Sequence, residues 1–295
     1  MRKSKAEKLF TIVNYAILIV LSFSILFPFW RIVMLSLNEG IDSMRGGIYF
    51  WPRVFTLDNY SVIFARSEIM NAYKVTIFRT VVGTILSVFL MSLMAYGLSK
   101  RHLRGRQLVN VLVLFTMFFS GGLIPFYLLL KDLHLLNSVW VYIVPSLYSA
   151  WNLILFRTFF QQLPAALEES AKIDGASDLI VYFRIVVPLS MPIFATISLF
   201  VAVGHWNDWF SGTVYVRDPN LVPLQTLLMS IIRENDSTKM IAGGVADLSS
   251  EGVRTVTSYS VKMATLIATI LPVIMLYPFL QKYFVKGVMV GSIKG

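Results

Sequence analysis

The 295-residue chain is too apolar for an ordinary soluble domain, because hydrophobic residues make up 56% of it and charged residues only 14%, whereas soluble domains are about half apolar and a quarter charged. Its net charge of +10 is compatible with nucleic-acid binding, but the basic residues cluster at alternate ends of apolar segments, which is the pattern of membrane topology. The absence of cysteine excludes disulfides, thiol catalysis and cysteine metal sites.

Six apolar segments are each long enough to cross a bilayer as a helix, which takes roughly 20 mostly apolar residues. The first follows a basic stretch but is too long for a signal-peptide core of roughly 7–15 residues, so we interpret it as a retained anchor. The sequence therefore predicts an all-α polytopic membrane protein with six transmembrane helices, at Leu9–Leu37, Val75–Ser99, Leu108–Leu130, Val139–Phe160, Ile185–Phe210 and Met263–Tyr283.

The basic residues predict the orientation of these segments. They precede the first segment, fill the gap of residues 100–106 between the second and third, and lie at or beyond the end of the sixth. The positive-inside rule then places both termini in the cytoplasm and the stretches near 38–70, 131–138 and 211–260 outside. We expect three parts: residues 1–70 with the first helix and an outer loop, residues 71–285 with five further helices, and a cytoplasmic tail at 286–295.

Ionisable residues lie close to the ends of the predicted segments. These residues are Arg31, Arg79, Arg157, His205 and Asp208. Long side chains at such positions can reach the interface, whereas a proton-coupled carrier usually needs a buried relay. The proton gradient is therefore a poor candidate for an energy source, while sodium coupling through backbone carbonyls stays open.

Two aromatic segments are candidates for a substrate path. Met117–Tyr127 contains helix breakers in the third segment, and His205–Phe210 ends the fifth with polar groups between two tryptophans. Such tryptophans are typical of an interfacial aromatic belt, but rings beside amide and carboxylate groups also suit sugars, whose C–H faces stack on rings. Both interpretations stay open, and the candidate path residues are Phe119, Tyr127, Trp206, Asn207, Asp208 and Trp209.

No nucleotide, metal or catalytic site is predicted. The glycine pairs are not followed by Lys-Ser or Lys-Thr at phosphate-loop spacing, and no His-Glu-x-x-His pattern occurs. If ATP drives this protein, another polypeptide must hydrolyse it.

The stretch between the fourth and fifth segments predicts a helix–turn–helix outside the bilayer. Pro164 suits the first turn of a helix, Gly175 can end that helix, and Ser177 can cap a second one. The first helix has a face of small or apolar residues, and the second has a more bulky one. Such a unit fits either a docking surface or a simple amphipathic connector. The two faces are Leu163, Ala166, Leu167, Ser170, Ala171 and Ile173, then Leu179, Tyr182, Phe183 and Val186.

The spacing in this stretch resembles the EAA motif of bacterial ABC-importer permeases, which is Glu-Ala-Ala, three residues, Gly, nine residues, Ile, one residue, Leu-Pro. Ser170 replaces Ala and Val187 replaces Leu, and both keep the size class. The longer run Glu168–Ser177 and the chain end Gln281–Gly295 resemble the carbohydrate branch, specifically its maltose-type second permease. Gly121–Pro125 resembles the subgroup linked to complex oligosaccharides. The matching motif residues are Glu169, Ser170, Ala171, Gly175, Ile185, Val187 and Pro188.

This resemblance implies the ABC type I importer permease fold and a non-enzymatic subunit without a cofactor. It implies a second homologous permease, two ATP-binding cassette ATPase subunits that use ATP and Mg, and an extracellular or periplasmic solute-binding protein that delivers a carbohydrate, here an oligosaccharide. The location implied is the bacterial inner membrane. A coupling loop at 163–184 would dock the ATPase through Glu168, Glu169, Ser170, Ala171, Asp174, Gly175 and Ala176.

The resemblance also gives expectations for two further segments. The outer stretch Ser211–Tyr259 would face the binding protein, although a flexible solvated loop is an alternative. The tail Val288–Gly295 would reach the ATPase. The rival functions are an ion-coupled secondary carrier and a six-span membrane scaffold.

Overall fold

The computed structural model describes the backbone of residues 4–233 and 256–292, and the side chains of 4–233 and 256–275. This described part is helical, and its only extended pairing is an isolated antiparallel bridge between Asn38 and Phe55. The segments 144–147 and 219–221 are 3₁₀ turns, and 182–186 is π-helical. The α-helices are α1 Lys5–Ser36, α2 Gly40–Met44, α3 Asp58–Ala65, α4 Ser67–Ser99, α5 Arg106–Phe118, α6 Leu123–Asp132, α7 Trp140–Ile143, α8 Ala150–Phe160, α9 Ala165–Ile173, α10 Asp178–Val181, α11 Val187–Leu189, α12 Met191–Asn207, α13 Phe210–Tyr215, α14 Leu224–Arg233 and α15 Ser258–Ser292.

Three helices of the described ranges are long and apolar enough to cross a bilayer: α1, α4 and the Ser258–Met275 part of α15. Two bent pairs also meet this criterion if each forms one broken span, namely α5 with α6 and Asp178–Leu189 with α12. The predicted fourth span is not one helix, because Pro145 lies in a 3₁₀ turn and Ser149 starts α8 as its N-cap. The number of six spans therefore stays a prediction.

A glycine allows the sharp bend between α5 and α6. The two helices meet at 115°, and Gly122 precedes α6 with φ 85° and ψ 175°. Only glycine adopts this backbone region readily. The bend lies within the Met117–Tyr127 segment, where the sequence has helix breakers.

The chain's contacts divide it into two compact units, of which the first comprises residues 1–69 and 228–271. Here the outer stretch after α1 is folded around buried Asn38, whose Nδ2 donates to Asp42 Oδ2 at 3.0 Å and Ser43 Oγ at 2.9 Å. Asn59 is also buried and donates to the carbonyls of Ser36 and Asn38, both at 2.9 Å. Most of α1 is exposed along its whole apolar circumference, as suits a helix in contact with lipid.

The second unit comprises residues 70–227 and 272–295. One buried cluster joins α4, α8, the π-helical segment and α12, and includes Met91, Phe156, Tyr182 and Ile197. Inside it, the Tyr182 hydroxyl and Ser92 Oγ lie 2.7 Å apart in a hydrogen bond. A second cluster joins α4, α6, α7 and the end of α13, so α4 contributes to both.

Residues 211–227 also belong to this second unit, and they are not a loose solvated loop. The backbone N–H of Leu224 donates to Thr76 Oγ1 of α4 at 2.8 Å, and the Tyr142 hydroxyl donates to the carbonyl of Leu221 at 2.8 Å. Residues 234–255 of the predicted outer stretch lie outside the described residues.

An ion pair inside α4 corrects one expectation. The helix begins at Ser67 rather than Val75, so Arg79 lies well inside it, and its side chain is 0% exposed. Arg79 Nη1 donates to Asp208 Oδ2 at 3.3 Å, Nη2 donates to the carbonyl of Asp208, and the guanidinium lies 5.0 Å from the ring centre of Tyr142. The expectation that ionisable residues stay near helix ends is therefore wrong for Arg79, because a partner from the end of α12 neutralises it within the protein.

We expect Asp208→Leu to lower the free energy of unfolding by about 3–5 kcal/mol, because it leaves the buried guanidinium without a counter-charge. Arg79→Met should cost less, since Asp208 is 31% exposed and its carboxylate can reach water. The double variant should cost less than the sum of the two single variants.

Denaturant titration of the purified protein in detergent micelles measures all three variants, with Arg45→Met, at an exposed position, as the control. Equal and additive effects of the two single substitutions would contradict this account of the pair.

Candidate functional site

The stretch between α8 and α12 forms the predicted helix–turn–helix. Helix α9 follows Pro164 and ends at Ile173, and Gly175, two residues further on, has φ +82°. The N–H of Gly175 donates to the Lys172 carbonyl at 3.0 Å, and that of Ala176 donates to the Ala171 carbonyl at 2.9 Å. This pair of hydrogen bonds ends the helix only when the residue just beyond its C-cap, here Gly175, adopts a left-handed conformation. Glycine adopts that conformation at little cost. Ser177 Oγ then accepts from the N–H of Ile180 and caps α10, as predicted.

The loop packs onto the protein through part of the face predicted from its sequence. Leu163, Ala171 and Ala176 lie against the buried cluster that contains Tyr182. Ala166, Ser170 and Ile173, from the same predicted face, are exposed instead. The residues of the loop therefore form two surfaces, one that packs on the protein and one that is exposed.

Ion pairs fix the two ends of α9. The Glu168 carboxylate pairs with Lys100, whose ammonium also lies 3.9 Å from the ring centre of Tyr96. Lys172 Nζ lies 2.9 Å from Asp178 Oδ1 across the turn. The hydrogen bond to Asp178 raises the pKa of Lys172 above its ordinary value. Glu168 is thus engaged by the chain itself.

The outward surface of the loop is formed by Glu169, Ser170, Ile173 and Asp174, all exposed. Ile173 is 86% exposed. Within the described ranges, neither Glu169 nor Asp174 takes part in an ion pair. This surface combines a carboxylate, a small residue and an apolar side chain within one helical turn.

The loop continues directly into the helix that carries the polar segment. Tyr182–Val186 is π-helical, a form that is rare and frequently marks functional sites. Asp178–Leu189 then meets α12 at 82°. Tyr182 is buried and bonded to Ser92 of α4, so the segment that joins the loop to α12 is packed on α4.

At the other end of α12, polar groups surround the Arg79–Asp208 pair. His205 is buried, and its Nε2 lies 3.4 Å from Ser146 Oγ. Gly83 of α4 leaves room for this ring, because a Cβ there would lie 2.4 Å from His205 Nε2. We call Arg79, Tyr142, Ser146, His205 and Asp208 the Arg79 cluster.

A cavity of about 380 Å³ opens beside this cluster, and we call it the His205 cavity. Its polar groups can donate and accept hydrogen bonds, and its rings offer flat apolar faces. This volume and this mixture are typical of small-molecule sites. The polar lining residues are Ser146, Ser149, His205, Asp208 and Ser211, and the aromatic ones are Phe126, Tyr142, Tyr148, Phe210 and Tyr215.

The six candidate path residues lie in different places. Asp208 lines the His205 cavity, and Tyr127 lines a neighbouring cavity. Phe119 stacks on Phe115 with ring centres 4.5 Å apart. Asn207 Oδ1 accepts from Gln225 Nε2 at 3.3 Å. Trp206 is buried, and Trp209 packs against Phe210 with ring centres 6.0 Å apart.

The sequence interpretation missed Tyr142, Ser146 and Tyr215, which come from three separate elements and carry no motif. It also placed Arg79 among ordinary helix-end residues. A charge within a long apolar run is a functional candidate by default, with its partner to be named. Extending the second helix back to Ser67 would have brought out that signal.

The whole chain matches one protein family. The model of the family described as binding-protein-dependent transport system inner membrane component covers residues 1–290. Among relatives, the chain is 42% identical to the polygalacturonan/rhamnogalacturonan transport system permease protein YtcP of Bacillus subtilis (strain 168), over 98% of this chain and 99% of that protein. It is 40% identical to protein LplC of the same organism, over 100% of this chain and 98% of that protein.

The fold has a close counterpart among solved structures. A chain from the crystal structure of a bacterial ABC transporter involved in the import of the acidic polysaccharide alginate superposes with a TM-score of 0.90 and 32% identity, covering 96% of this chain and 99% of that one. The chain thus has the type I permease fold and lies in the membrane as a multi-pass protein. It is a transporter permease rather than an enzyme, and it belongs to the family of binding-protein-dependent transport system inner membrane components.

Proposed function

We propose that this chain is the permease subunit of an ATP-driven importer that moves an oligosaccharide across the bacterial inner membrane. A second homologous permease would complete the path, two ATP-binding cassette ATPases would bind the loop side, and an extracellular solute-binding protein would deliver the sugar. ATP and Mg would be used by the ATPases. The relatives that are sugar permeases by name, such as YtcP, support this cargo class.

The observation that carries the proposal is the two-sided loop. Leu163, Ala171 and Ala176 pack inward on the buried cluster, while Glu169 and Ile173 face away from the protein. A partner that binds the outward side can therefore move the core that holds α12.

The docking surface of the proposed complex comprises Glu169, Ser170 and Asp174, with Ala171, Gly175 and Ala176 setting its shape. Glu168, paired with Lys100, holds the helix in place from within the chain. The basic residues near both termini support a cytoplasmic position for this side. The proposed parts remain residues 1–70, 71–285 and 286–295, and the last three residues of the tail lie outside the described ranges.

The His205 cavity is the proposed sugar contact within this subunit. Tyr148 and Tyr215 line this cavity beside Ser146 and Asp208, so rings for the C–H face of a pyranose lie next to groups that can bond its hydroxyls. The Arg79 pair fixes the Asp208 carboxylate in position. Rocking of α12 around this cluster would alternate access to the cavity.

Co-purification and uptake test the proposal as a whole. The chain, expressed with the second permease and ATPase genes of its own operon, should co-isolate with an ATPase whose activity rises when sugar-loaded binding protein is added. Uptake into proteoliposomes should require ATP. Transport by the chain alone, driven by an ion gradient, would establish a secondary carrier instead.

Gly175→Val should uncouple ATP hydrolysis from uptake. A β-branched residue at φ +82° costs about 1–2 kcal/mol and distorts the turn, although no atom lies within 4 Å of the added Cβ. We expect normal membrane insertion, ATPase activity that no longer responds to the binding protein, and a loss of uptake.

Gly105→Val is the matched control, because Gly105 has φ +76° in equally open space but lies in the turn before α5. Equal loss of uptake in both variants would mean that turn strain, rather than docking, causes the defect.

Glu169→Ala should weaken docking because it removes an exposed carboxylate that we expect to pair with a cation or amide of the ATPase. We expect uptake to fall about tenfold, as for the loss of one charge-assisted hydrogen bond, and the ATPase to dissociate more readily on a sizing column. Glu68→Ala removes an exposed carboxylate in the first turn of α4 and should change neither result. Normal uptake by Glu169→Ala would reject the assignment of this residue.

A further inference from the structure

A second cavity, of about 420 Å³, lies beside α6 and the segment that follows α13. We call it the Lys131 cavity. It is lined by two cations, Lys131 and Arg217, by the rings of Tyr127 and Tyr215, and by Asn137. No part of the proposed docking loop or of the Arg79 cluster belongs to it.

The backbone around this cavity is held in a defined shape. Asn137 has a positive φ of 56° and donates its N–H to the Tyr215 carbonyl at 2.9 Å. Its Oδ1 accepts from the N–H of Arg217 at 3.0 Å and from that of Asp218 at 2.8 Å. One asparagine therefore fixes the chain on either side of Arg217, so that this cation is presented from a structured turn.

The charges in the cavity are uncompensated within the described residues. Neither Lys131 nor Arg217 forms an ion pair there, and no carboxylate lines the cavity. The neighbouring Asp218 uses its Oδ1 to accept from the backbone and side chain of Asn220, at 2.9 and 3.1 Å. Asp132, which follows Lys131 in the chain, is absent from the lining. The cavity therefore presents two positive charges.

The aromatic part of the lining suits a sugar ring. The rings of Tyr127 and Tyr215 have centres 6.2 Å apart, and Tyr215 also lines the His205 cavity. A flat apolar face beside cationic donors matches a pyranose that carries a carboxylate. The guanidinium of Arg217 can bind a carboxylate with two parallel hydrogen bonds.

We propose that the Lys131 cavity is a binding site for uronate units, so that the oligosaccharide cargo of this transporter is acidic. Lys131 and Arg217 bind the carboxylate, Tyr127 and Tyr215 stack on the ring, and Asn137 holds the turn that presents Arg217. Through the shared Tyr215, the chain of sugars continues into the His205 cavity. This inference rests on the proposed transport of oligosaccharides.

Two other occupants would use the same cations. An anionic lipid headgroup would bind Lys131 and Arg217 without needing the two rings, and an acidic patch of the binding protein would bind them whatever the cargo. The uronate is favoured because the two cations and the two tyrosines line the same cavity. These occupants are distinguished by whether the loss of the two cations affects transport of an acidic sugar more than transport of a neutral one.

Uptake by the complete reconstituted transporter tests the proposal, with trigalacturonate and its carboxyl-reduced, neutral galactose counterpart as cargoes. We expect the wild type to transport trigalacturonate. Lys131→Gln with Arg217→Gln should raise the KM for trigalacturonate about tenfold or more, the effect of losing charge-assisted hydrogen bonds. The KM for the neutral sugar should stay unchanged. Arg217→Lys keeps the charge but loses the paired hydrogen bonds, so its KM for trigalacturonate should lie between those of the wild type and the double variant. Arg45→Gln, an exposed arginine elsewhere, should have no effect.

The other outcomes overturn the proposal in distinguishable ways. An equal rise in KM for both sugars would show a contact with the binding protein. A defect that appears only in vesicles containing phosphatidylglycerol, for both sugars, would show a lipid site. Transport of the neutral sugar alone would reject the acidic cargo and leave the proposed function standing. Transport of neither cargo, without stimulation of ATP hydrolysis, would reject both.

Discussion

A buried guanidinium on an apolar helix needs a counter-charge, and Asp208 supplies it for Arg79. Removing the charge of Arg79 from water is costly, so the end of α12 has to stay close to the middle of α4. Asp208 Oδ1 also accepts from the N–H of Ser211, which sets the start of α13. Gly83 then allows His205 to approach α4. The position of the candidate sugar cavity follows from this one ion pair.

The opposite end of α12 is held by packing rather than by charge. Tyr182 is buried beside Ser92 and Tyr96 of α4, and the loop residues Ala171 and Ala176 lie on the same cluster. Protein interiors are close-packed, so such a cluster transmits a displacement instead of absorbing it. A force on the exposed side of α9 thus reaches α12, whose other end carries His205. The loop thus precedes one end of α12, and the cavity lies at the other end.

The sequence predicted local structure well wherever one residue type has a single physical role. Gly175, Ser177 and Pro164 gave the turn and both helix starts, and Gly122 marked the bend between α5 and α6. Contacts between distant segments were not predictable in this way. The pairing of Arg79 with Asp208, the Glu168–Lys100 pair and the convergence of Tyr142, Ser146 and Tyr215 all depend on tertiary packing. The prediction of a single helix at Val139–Phe160 was wrong, because it followed the average hydropathy of the segment. Pro145 and the capping Ser149 interrupt the helix there.

The central claim is that ATP-driven movement of the loop opens and closes the His205 cavity, and the absence of cysteine from this chain permits a direct measurement. Ser211→Cys places one thiol in the cavity wall of an otherwise cysteine-free chain. In the reconstituted transporter, its rate of modification by a membrane-impermeant thiol reagent should change several-fold between the nucleotide-free and ATP-trapped states. Adding Gly175→Val should abolish that change. A rate that follows ATP equally with and without Gly175→Val, or that ignores ATP in both, would contradict the account.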